Sequence, residues 1–178
     1  MQLRASMVVA LALVASTATA TVDEPRAPTT VTADVVTMKC PVTRPLARRF
    51  IPPAPWPDQK HPGEFWFGTR RLWTVLRADG TWKGLPHYTP DDPTFRNKLF
   101  WWRHGNDGAE EPQPRLAVTG RRLDAPAPPL HVDPISSYWP TPDQTFKVVG
   151  VNFPALGCWE IKGQYQDAQV TYVVWVTQ

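Results

Sequence analysis

The clearest pattern in the chain is the alternation of apolar and polar positions towards its C-terminus, in TFKVVGVNF (145–153), CWEIKGQY and VTYVVWV. Successive side chains on a strand point to opposite faces, so each run predicts a strand with a buried face, and FPALG separates the first two. Upstream, apolar and polar residues alternate around Leu72, Thr74 and Leu76 before Asp79-Gly80, a dipeptide that favours a two-residue hairpin turn, and strands are predicted on both sides of it. KLFWWRHG, from Lys98, predicts a short aromatic strand stopped by Asn106-Asp107-Gly108. RLAVTGRRL, from Arg115, predicts another, ended by Pro126, Pro128 and Pro129. No later stretch carries a long apolar stripe of helical period, and no internal repeat is visible. Short strands at this spacing predict an all-β sandwich or barrel.

The N-terminal part follows another pattern. MQLRASMVVALALVASTATA combines Arg4, an apolar run over 7–15 and the small residues Ala18-Thr19-Ala20, which is the plan of a secretory signal peptide cleaved after Ala20. The apolar run is shorter than the roughly 20 residues that cross a bilayer. The expectation is a secreted or periplasmic protein with no membrane span. Residues 21–39 are rich in Thr, Pro and Ala with little periodicity and read as a flexible N-terminus. Seven prolines then fall within 41–64, with Phe50 and Trp56 among them, which predicts an extended proline-rich strap over 40–64 held down by its aromatic rings. Residues 40–178 are expected to form a single β-sandwich domain.

On the strand at CWEIKGQY, Trp159, Ile161 and Tyr165 share one face, while Cys158, Glu160, Lys162 and Gln164 share the other. The pattern Gly157-x-Trp159-x-Ile161 after a Pro-x-x-Gly turn resembles the next-to-last strand of immunoglobulin-like sandwiches. The likeness covers about the last 35 residues, and it places Trp159 where the family has its corner tyrosine and Ile161 where it has its core cysteine. The GCWE turn with a Val-rich final strand is also similar to uncharacterised secreted bacterial proteins, a likeness that implies no activity. The resemblance implies an immunoglobulin-like antiparallel β-sandwich in which Cys158 is not the inter-sheet cysteine. Pointing outward, Cys158 is expected to pair with Cys40, since the chain has two cysteines and the compartment is oxidising. That bond would tie the strap to the outer face, where Val173 and Trp175 need a cover. A reactive thiol would need a histidine partner and a lowered pKa, for which the sequence offers no sign.

Composition narrows the role. The net charge of +3 falls to +2 once Arg4 leaves with residues 1–20, and Arg48-Arg49, Arg70-Arg71 and Arg121-Arg122 are scattered doublets, so nucleic acid is not an expected partner. After residue 20 the only serines are Ser136 and Ser137, outside any Gly-x-Ser-x-Gly elbow. His61, His87, His104 and His131 lack ligand spacing; His131-Val132-Asp133 comes nearest to a metal motif. Asp91-Asp92 and Asp107 with Glu110-Glu111 read as turn and surface acids, and Glu160 as lying near the strap or solvent. No cofactor or metal is expected. The nine tryptophans are the remaining unusual feature. Trp101 and Trp102 must point to opposite faces, as must neighbours in Phe65-Trp66-Phe67. The expected role is non-catalytic, an envelope-associated binding or structural interaction with a protein or cell-envelope glycan. One alternative is a carbohydrate-binding module stacking sugars on exposed Trp56, Trp66, Trp102 and Trp139. A second is a secreted hydrolase whose histidines and acids come together from loops.

Overall fold

Alternating residues become strands here because each run can bury one face. The computed structural model describes residues 39–56, 61–87, 89–105, 111, 114–138 and 145–178. The expectations for 1–38 lie outside them, and the described residues belong to one compact unit, 36–178. The strands are β1 (Glu64–Gly68), β2 (Leu72–Arg77), β3 (Thr81–Lys83), β4 (Phe95–Arg103), β5 (Leu116–Arg122), β6 (His131–Val132), β7 (Ser136–Tyr138), β8 (Phe146–Phe153), β9 (Gly157–Tyr165) and β10 (Ala168–Thr177). There is no helix among the described residues.

The strands form two sheets. The larger has the order β1-β2-β4-β8-β6, with β7 also pairing β8, and all its pairs are antiparallel. The smaller has the order β3-β10-β9-β5, in which β3 runs parallel to β10 and the other pairs are antiparallel. The core lies between them: Leu72, Leu76, Leu99, Trp101, Val149, Val151 and Phe153 from the larger sheet meet Val118, Trp159, Ile161, Val170, Tyr172 and Val174 from the smaller. The protein is therefore an all-β sandwich. Gly163 shows how tightly the sheets meet, since a Cβ there would lie 2.3 Å from the Trp101 indole. On β9 the indole N–H of Trp159 donates to the Ala155 carbonyl at 3.0 Å.

Asp79-Gly80 turns the chain but makes no hairpin, which corrects the sequence reading. Strands flank it, yet β2 and β3 belong to different sheets. The reason is non-local: β1 and β4 already occupy both edges of β2, whereas β10 has an edge to fill. Trp175 N–H donates to the Gly80 carbonyl at 2.9 Å, and Gly80, at φ +64°, lies so close to Val42 that a Cβ would stand 2.7 Å away. Trp82 then enters the core from β3. Short β6 and β7, in a proline-punctuated stretch, also went unpredicted.

Residues 39–56 contain no strand. A disulfide joins Cys40 to Cys158 across 118 residues, with the Cα atoms 5.4 Å apart. Next, Thr43 N–H donates to the Val173 carbonyl at 2.8 Å, and Val173 N–H donates back to Thr43 Oγ1 at 2.9 Å. The segment then leaves the smaller sheet, and its rings reach the far face of the larger one: Phe50 stands 6.3 Å from Trp73 and Trp56 stands 5.5 Å from Trp102. Trp175 keeps 36% of its surface exposed, so the cover expected over it is partial.

Candidate binding face of the larger sheet

Alternation that sends Trp101 into the core sends Trp66, Trp73 and Trp102 to the opposite face of the larger sheet. There they form a second apolar cluster with Val75, Phe100 and Phe146, and Phe50 and Trp56 pack against it. Trp66 and Trp102 meet edge to face, 4.9 Å apart with planes 89° to one another, and Trp56 lies edge-on to both. This is the arrangement favoured by the ring quadrupole. Of the rings singled out from sequence, Trp66 and Trp102 are each 4% exposed, Trp56 is half-buried, and Trp139 lies outside the described residues. The structure brings the first three together edge to face, with Trp56 of segment 39–56 seated on the sheet's pair. It does not offer them as a flat, exposed stack.

Exposure lies at the margins of this face. Tyr138 on β7 is 54% exposed and its ring stands 5.1 Å from that of Phe146, which in turn is 5.7 Å from Phe100. On either side of Phe50, Leu46 is 68% and Ile51 56% exposed. Sequence reading missed these residues. Phe100 was recoverable from parity, since it lies two residues from Trp102 on a strand already predicted; Phe146 needed the β4–β8 register, and Tyr138 sits on a strand too short to read.

The densest polar cluster closes one end of the core, and it corrects the reading of Glu111 as a surface acid. Glu111 accepts hydrogen bonds from Arg115 N–H (3.0 Å), the Tyr165 hydroxyl (3.0 Å) and Arg103 (3.2 Å), and forms an ion pair with Lys147 Nζ at 3.4 Å. Lys147 is 2% exposed and donates to Ser137 Oγ at 2.8 Å; Ser137 O–H donates to the Glu111 carbonyl at 2.6 Å. The Arg103 guanidinium lies 4.7 Å from the Tyr165 ring centre. Burial would raise the Glu111 carboxyl, but the Arg115 and Tyr165 hydrogen bonds, the Lys147 charge and Arg103 together hold it below its ordinary value. Burial and Glu111 push the Tyr165 hydroxyl up. Ser137 and Lys147 therefore stand within hydrogen-bond reach, and Lys147 Nζ also faces the Glu111 carboxylate, so both groups are engaged within the cluster. Chemically, the cluster ties Arg103 and Lys147 of the larger sheet to Tyr165 of the smaller.

His131 and Asp133 do come together, around Asn152, whose amide donates to Asp133 Oδ1 at 3.0 Å and to His131 Nδ1 at 3.3 Å. Arg96 pairs with Asp133 at 2.6 Å. Close by, His87 Nδ1 donates to the Thr94 carbonyl at 2.9 Å, and the Thr94 hydroxyl and amide hold the Asp92 carboxyl below its ordinary value, with a smaller pull from His87 and His131. His61 and His104 are exposed elsewhere. Among the described residues no three His, Cys, Asp or Glu side chains are placed to hold a metal ion. On the outer face of the smaller sheet, Glu160 pairs with Arg121 at 2.7 Å. Among the described residues no helix is long and apolar enough to cross a membrane.

No family model matches the chain, and neither does a curated protein or a solved structure.

Proposed function

We propose that this chain is an exported, non-catalytic binding domain that engages its partner at the margins of the outer aromatic face of the larger sheet. One observation carries the reading: of the four exposed large apolar side chains among the described residues, Tyr138 stands beside Phe146 of that face, and Leu46 and Ile51 lie in the segment whose Phe50 packs on it. Leu46 lies beside β1 and Tyr138 on β7, at opposite edges of the sheet, so these side chains frame an apolar face, and exposed apolar surface around such a face marks an interaction site. The Glu111 cluster supports a binding role over catalysis, since its nucleophile and its ionisable groups are engaged with one another. Export fits the buried Cys40–Cys158 disulfide and a leader at 1–20 cleaved after Ala20. The immunoglobulin-like reading of the last strands gains support from Trp159, which reaches back to Ala155 as a corner residue would.

A second reading, carbohydrate recognition, draws on Tyr138: its ring is exposed beside Phe146, and sugar rings stack on such surfaces. With Trp66 and Trp102 buried, stacking would fall to Tyr138 in place of the tryptophan set.

The test compares the wild-type chain with an Ile51→Asp/Tyr138→Asp variant for retention on peptidoglycan, insoluble polysaccharides and solubilised envelope proteins. Retention of the wild type, lost in the variant at unchanged Tm, is the expected result. Retention on polysaccharide alone selects the second reading. Retention on nothing, or retention indifferent to both substitutions, contradicts the proposal.

A further inference from the structure

We infer that the groove beside β1 receives an extended acidic segment of a partner protein, an inference that rests on the binding reading above and names its surface and partner chemistry. The groove has two connected parts, cavities of about 450 and 290 Å³ that share Arg49, Phe50, Phe65 and Trp66 in their walls. One runs towards His61 and Glu64, the other towards Leu46 and Gly68. Together they follow the five residues of β1 (Glu64–Gly68), a length of roughly 16 Å that suits an extended peptide of about five residues.

Charge selects the partner. Segment 39–56 carries Lys39, Arg44, Arg48 and Arg49 and not one acidic residue. Arg48 and Arg49 are exposed, both line the groove, and neither has an ion-pair partner among the described residues. Among the described residues Glu64 is the single carboxylate in the groove wall. A guanidinium offers paired donors that match a carboxylate, and arginine and aromatic side chains, here Arg48 and Arg49 with Phe50 and Phe65, are enriched at protein interfaces. Leu46, in the groove wall and largely exposed, supplies an aliphatic contact beside Phe50. The partner segment should therefore alternate acidic and apolar residues, its carboxylates on Arg48 and Arg49 and its apolar side chains on Phe50, Phe65 and Leu46.

The experiment is a fluorescence-polarisation titration of the whole purified chain with a labelled peptide of about eight residues alternating Glu and Leu. A Lys-Leu peptide and polygalacturonate serve as comparison probes. The expected result is saturable binding of the Glu-Leu peptide, weakened about tenfold or more in Arg48→Glu/Arg49→Glu at unchanged Tm, weakened by salt, and unaffected by Gln169→Asp on the smaller sheet. Equal affinity for the Lys-Leu peptide, competition by polygalacturonate as strong as by unlabelled peptide, or indifference to the arginine substitutions overturns the inference. A chain retained on envelope material that ignores the Glu-Leu peptide sinks this inference and leaves the binding reading standing; a chain that binds neither sinks both.

Discussion

Replacing Glu111 by Gln tests the polar closure of the core. The substitution keeps the shape but removes the charge that faces Lys147 Nζ at 3.4 Å and Arg103 at 3.2 Å. Their side chains are only 2% and 18% exposed, so water cannot readily take over the pairing. Removing one member of a buried pair leaves the other charge unpaired and costs about 3 to 5 kcal/mol. With Glu111 itself 13% exposed, the lower end of that range applies, about 3 kcal/mol. The pH dependence has a definite sign. The Glu111 carboxyl is held below its ordinary value of 4.5, so the unfolded chain binds the proton more readily than the folded one. Its contribution is complete above the ordinary carboxylate range and is lost as pH falls through the lower folded value. Urea unfolding followed by tryptophan emission should show the full loss in Glu111→Gln near pH 7 and a difference from wild type that shrinks progressively as pH falls below 4.5. Lys147→Met should be non-additive with Glu111→Gln by about 1 kcal/mol or more. A loss under about 1 kcal/mol near neutrality, or one that does not shrink in acid, would refute the reasoning.

Further expectations concern the disulfide and the core. Cys40→Ala/Cys158→Ala opens a closure of 118 residues, worth about 5 kcal/mol in the chain-entropy account, so its urea midpoint should fall steeply. Alkylation of the unreduced wild-type chain should add no label by mass; two labels would remove the bond from the account. Gly163→Ala puts a methyl group where the Trp101 indole lies 2.3 Å away and should cost roughly 1 to 3 kcal/mol by overpacking, read as a lower Tm. An unchanged Tm would mean that the sheets are less closely packed at that point.

What could be read without coordinates was local. Strand parity alone separated Trp101 from Trp102 and placed Cys158 opposite Trp159, because a period of two fixes the facing side once the strand is recognised. Pairing Cys40 with Cys158 needed only the cysteine count and the expectation of an oxidising compartment. The destination of β3 was not legible: Asp79-Gly80 specifies a turn, while the choice of sheet depends on which edges β1 and β4 leave open. Glu111 stayed hidden for the same reason, since its donors come from Arg103, Tyr165 and Lys147 on three separate strands. The tryptophans were legible as a group. That Trp56 and Phe50 would cap them depended on where segment 39–56 crosses, which no pattern in its sequence specifies.

The most direct test of binding at the margins of the aromatic face is site-specific photo-cross-linking in cells that export the chain. A photoreactive phenylalanine analogue would replace Leu46, Ile51 or Tyr138 in turn, with exposed Gln169 on the smaller sheet as the reference position. The account predicts adducts of one higher mass from the three marginal positions and none from Gln169. Adducts from Gln169 alone, or none from any of the four, would contradict it.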